Sequence, residues 1–148
     1  MRTRDIKDHL PDKPSELLAK AMRDLKKAED NPSYEINMEI WHRSYVNKYT
    51  YNYKLCSVCL AGVVMAINLG ASPFCNLNPD DYKAIIRNKL WALNMFRKGY
   101  VKQALKCMKI NFPDKLKEEY NIPYYKFNQV NFRKAMYRMI ARLERVGL

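Results

Sequence analysis

A chain of 148 residues that is 48% hydrophobic can bury a sizeable single core, and that composition excludes wholesale disorder. Only 4 glycines argue against a turn-rich β-sandwich, and 4 cysteines are too few for a disulfide framework at this length. The net charge of +12 is uneven: residues 1–82 hold 11 Lys/Arg and 11 Asp/Glu, whereas residues 83–148 hold 16 Lys/Arg against Asp114, Glu118, Glu119 and Glu144. Such asymmetry points to an anionic partner on one surface, the alternative being a generally basic, solubilising surface.

Residues 1–13 are polar with charges of both signs and read as a flexible arm ahead of a single helical domain over 14–148. No apolar signal-peptide region follows the charged start, so a reducing, cytoplasmic setting is expected. Pro14 suits a first helical turn, and Leu17, Leu18, Ala21, Leu25 and Ala28 recur at helical spacing until Asn31-Pro32. Tyr49, Tyr51 and Tyr53 alternate with Thr50 and Asn52, which predicts a small β-hairpin or strand near 45–54.

Leu55 to Gly70 is interrupted by polar side chains only at Ser57 and Asn68. A helix apolar all round is buried or in a membrane, and this run is shorter than the roughly 20 residues a bilayer demands. The expectation is a buried central helix over 55–69, with Gly62 at a close helix–helix approach and no membrane partner. Asn78-Pro79-Asp80-Asp81 reads as a helix start with a cap, proline and two acids. An apolar face continues to about Arg97, and Gly99 permits a turn into a short helix with Val101, Ala104, Leu105 and Met108 inside. In the last helix Phe132, Ala135, Met136, Met139, Ile140, Leu143 and Val146 line one face. Its Arg133, Lys134, Arg138, Arg142 and Arg145 fall on the other. The fold class is mainly α: a compact bundle of about five helices around the central one.

Three constellations carry candidate chemistry. Cys56 and Cys59, at i and i+3, would share a helical face, and Cys75, Cys107, His9 and His42 are the remaining soft ligands. A C-x-x-C that opens an apolar helix fits core cysteines better than a metal knuckle, so no metal or cofactor is expected. A Cys–His hydrolase or transferase would use Cys56 or Cys59 as nucleophile, Cys56 in the first helical turn where the dipole lowers a thiol pKa, with His42 as base. The third constellation is the basic face of the last helix, extended by Lys98, Lys102, Lys106 and Lys109, with Tyr124, Tyr125 and Phe127 between as stacking residues. No helix-turn-helix, RNP or P-loop motif accompanies it.

Trp41-His42, the stretch Cys56-Ser57-Val58-Cys59-Leu60-Ala61-Gly62, and Lys89-Leu90-Trp91-Ala92-Leu93 before Arg97-Lys98-Gly99 occur in that order. Together they resemble a loose group of small, uncharacterised phage and bacterial proteins, over roughly Met38 to Leu105. The resemblance implies a viral or mobile-element setting, with a host cell cytoplasm as the location, and transfers no functional residue. The expected function is non-enzymatic binding of nucleic acid or a nucleotide through the basic C-terminal surface. The alternative is an anti-defence inhibitor that docks on an acidic host protein through Trp41, Tyr45 and Tyr49.

Overall fold

Proline at the first helical position and an acid, Glu16, in the first turn start α1 (Pro14–Glu29). Its N-cap residue, Lys13, offers no side-chain cap. The open end is met from the far end of the sequence: the Ser15 N–H and hydroxyl donate to the Leu148 carbonyl oxygen at 3.0 and 2.9 Å. The inner face of α1 places Leu17, Leu18, Ala21, Met22 and Leu25 in the core. The computed structural model describes residues 10–38, 41–44, 56–69, 76–116 and 129–148.

Of the predicted arm over 1–13, residues 10–13 are described. Leu10 is buried against the core, and the Lys89 ammonium holds both its carbonyl and the Asp12 carboxylate at 2.7 Å. Residues 10–13 therefore belong to the folded domain, while residues 1–9 lie outside the described set.

The central apolar run divides. Cys56–Val58 is a strand, β3, and the helix α2 spans Leu60–Asn68. A continuous apolar run satisfies either period, so partners decide between them. Here β1 (Tyr34–Ile36) pairs with β3 in parallel and β2 (His42–Ser44) pairs antiparallel, giving the order β1-β3-β2. Cys59 ends the strand and caps the helix, its sulfur accepting the Gly62 N–H at 3.4 Å. The predicted hairpin near 45–54, with Tyr45 and Tyr49, lies outside the described residues.

All-round burial nonetheless holds for the first two thirds of α2: Leu60 through Met65 are buried without interruption, and Ala66 to Asn68 are half-buried. At its far end the polarity of Asn68 has a use, donating to the Val64 carbonyl and to the buried Asp24 carboxylate of α1. Gly62 does mark a close approach, but to a strand-edge backbone rather than to a helix. A Cβ there would sit 1.7 Å from the Trp41 carbonyl oxygen.

Asn78 forms the expected cap, closing a reciprocal box with Asp81. It opens only the 3₁₀ turn Pro79–Asp81; Tyr82 is extended, and α3 (Ala84–Lys98) starts afresh. Gly99, with φ 84°, lets the Tyr100 N–H close back on Met95 and reverse the chain into α4 (Val101–Cys107). The last helix, α5 (Gln129–Arg145), ends similarly at Gly147, φ 80°.

α1 touches α2, α3, α5 and β1, while α2 touches α1, α3, β2 and β3, so these two helices form the centre. α4 packs on α3, and α5 packs on α1. The fold is mainly α, with five α-helices and one three-stranded sheet among the described residues. None of these helices is long and apolar enough to cross a membrane.

Candidate functional site

The outward face of α5 is the most distinctive surface. Phe132, Ala135, Met136, Met139, Ile140 and Leu143 are buried, which fixes the rotation of the helix. At 100° per residue, Lys134, Tyr137, Arg138, Ala141 and Arg145 must then face outward, and each is exposed. Lys134, Arg138 and Arg145 have no ion-pair partner among the described residues.

The other two predicted cations sit at the margins of that face. Arg133 is half-buried and its guanidinium is paired with Glu29 of α1. Arg142 is also half-buried and has an interaction of its own. Five cations on the helical wheel thus reduce to three exposed ones without an ion-pair partner among the described residues; for Arg133 the cause is the acid that α1 presents to the first turns of α5.

Lys98, Lys102, Lys106 and Lys109 do not extend this stripe through direct packing. They belong to the α3–α4 corner, whereas the partner of α5 is α1. Lys102, Lys106 and Lys109 are exposed, and Lys98 is half-buried. Burial, with Arg97 beside it, pulls the Lys98 ammonium below its ordinary pKa. Tyr124, Tyr125 and Phe127 lie outside the described residues.

Sequence reasoning passed over Tyr137 and Val130. Both are large apolar side chains left in solvent, at 51% and 60% exposure. They lie seven residues apart, two turns along one face, and together with Arg133, Lys134, Arg138 and Ala141 they line a shallow depression of about 600 Å³. The available signal was their position opposite the buried set, where an exposed tyrosine has no packing reason to be.

The cysteine–histidine constellation comes out differently. The sheet does bring Trp41-His42 beside the cysteines: His42 stands opposite Val58, and Ser44 opposite Cys56. Cys56, however, lies in a strand, so no helix N-terminus is there to activate it, and Cys56 and Cys59 share no helical face. Cys59 is 2% exposed, and burial pushes its thiol above the ordinary 9.0 against the opposing pull of the Gly62 N–H and the Arg97 charge. A buried, protonated thiol is a poor nucleophile. Cys107 is half-buried, and burial raises its thiol pKa too. Among the described residues no three potential ligands gather for a metal.

Trp41, expected as a docking anchor, is half-buried against the core and meets Trp91 edge-on, with centroids 5.0 Å apart and planes at 74°. That contact ties the sheet to α3 and explains the ring without a partner. Tyr45 and Tyr49 lie outside the described residues. No family model, curated protein or solved structure matches the chain.

Proposed function

We propose that this protein binds an anionic partner, most simply nucleic acid, through the exposed face of α5. The observation that carries the reading is the trio Lys134, Arg138 and Arg145, exposed on one helical face and without ion-pair partners among the described residues. Charged side chains cluster this way at a cost in self-repulsion, which an opposite charge offsets. Phosphates along a strand supply it at regular spacing. The single acid of α5, Glu144, sits at the C-terminal end of the same face and limits the stripe there.

Binding of labelled oligonucleotides at low salt tests the reading. Charge reversal at Arg138 and Arg145 should abolish most of the affinity, whereas the matched double reversal of Lys106 and Lys109 at α4 should cost far less. Equal losses from both would mean general charge attraction and no α5 site. A second reading, docking on an acidic host protein, is favoured by the exposed Val130 and Tyr137 among those cations. Capture from host lysate before and after nuclease separates the two: a partner that persists after nuclease supports the second.

A further inference from the structure

Resting on the reading of α5 as an anion-binding face, we propose that its depression is a base-stacking site centred on Tyr137, so that the preferred partner is single-stranded nucleic acid. Cations alone would serve a duplex equally well. The depression offers something a duplex cannot use: a mainly apolar surface to which Val130, Tyr137 and Ala141 contribute together with Lys134 and Arg138. In a duplex the flat faces of the bases are covered by their neighbours. In a single strand they are free, and every base has one, so an aromatic platform beside cations captures them without reading sequence.

The geometry fits that role. Tyr137 projects half-exposed from a rigid helix, with Lys134 one turn before it and Ala141 one turn after. Arg138 follows directly, on the side of the face where Lys134 and Arg145 also lie. A base on the ring would place its flanking phosphates toward that cationic side. Arg138 can serve a phosphate or cover the far face of the base, since guanidinium planes also stack.

Three probes of about 12 nucleotides test this: a single strand, its blunt duplex and an abasic strand of equal charge. The protein should bind the single strand about tenfold more tightly than the abasic strand. Tyr137→Ala should remove that difference, Tyr137→Phe should retain it, and neither should alter the salt dependence. Lys134→Ala with Arg138→Ala should weaken all three probes together. A parent protein that treats base-bearing and abasic strands alike overturns the stacking site while leaving the anionic face standing. So does Tyr137→Ala binding as the parent does. Failure to bind any probe at low salt overturns both, and an acidic protein then becomes the partner.

Discussion

Gly62 leaves no space for even one carbon, because the Trp41 carbonyl oxygen lies 1.7 Å from where a Cβ would go. That oxygen also accepts the Cys59 N–H at 3.3 Å, so it has little freedom to retreat. Gly62→Ala should therefore cost about 3 kcal/mol, lowering the melting temperature by roughly 6–12 °C. Melting within about 2 °C of the parent would show that the strand gives way cheaply. The sequence reading identified the glycine and mistook its neighbour: helical periodicity reports the face that must be small but not what crosses it. Beside it, Cys59 gives a pH signature. Its thiol pKa is raised by burial, so its contribution to stability is complete below the ordinary 9.0 and is lost as pH climbs from there toward the folded-state value. Melting curves of the parent and Cys59→Ala should run parallel below about pH 8 and converge above 9.0, where only the parent loses this term. Parallel curves throughout would place the thiol in contact with water. Native-state alkylation at about pH 8 should likewise leave Cys59 unmodified until the protein is unfolded.

At the scale of elements, boundaries followed sequence wherever local chemistry set them. Pro14, Gly99 and Gly147 act where local chemistry says they should, whereas the Asn78 box forms but opens only a 3₁₀ turn. The misreading came at Cys56–Val58, where nothing local distinguishes strand from helix and pairing with two distant segments decides. A cysteine sulfur as helix cap is likewise invisible to a rule built on Ser, Thr, Asp and Asn. The site was legible to the extent that α5 is amphipathic; its Arg133 was not, since the wheel of one helix cannot show that Glu29 waits on another. The end of α4 adds a further case. Lys109 adopts φ 59°, the left-handed conformation that follows a helix, and the Ile110 N–H closes on Leu105 behind it at 2.9 Å. A side chain in that region is strained by about 1 kcal/mol. Lys109→Gly should thus raise stability by about that amount while removing a charge from the α4 surface. Destabilisation would mean that the lysine stem packs in a way that outweighs the backbone strain.

Across the whole molecule, the charge excess of residues 83–148 is divided between elements with different packing partners, α5 on α1 and α4 on α3. The division matters quantitatively. A continuous surface of both would neutralise four to six phosphates and give a log–log salt slope on duplex of roughly −4 to −5. Three available cations on α5 give a slope of roughly −3 on duplex and −2 on a single strand. The most direct measurement is therefore the oligonucleotide dissociation constant across a salt titration, for the parent and for the Arg138→Glu, Arg145→Glu double variant. The parent should show the slopes just given and the variant a nearly flat response, with unchanged helical content by circular dichroism. A parent affinity indifferent to salt, or a variant that keeps the parent slope, would contradict it.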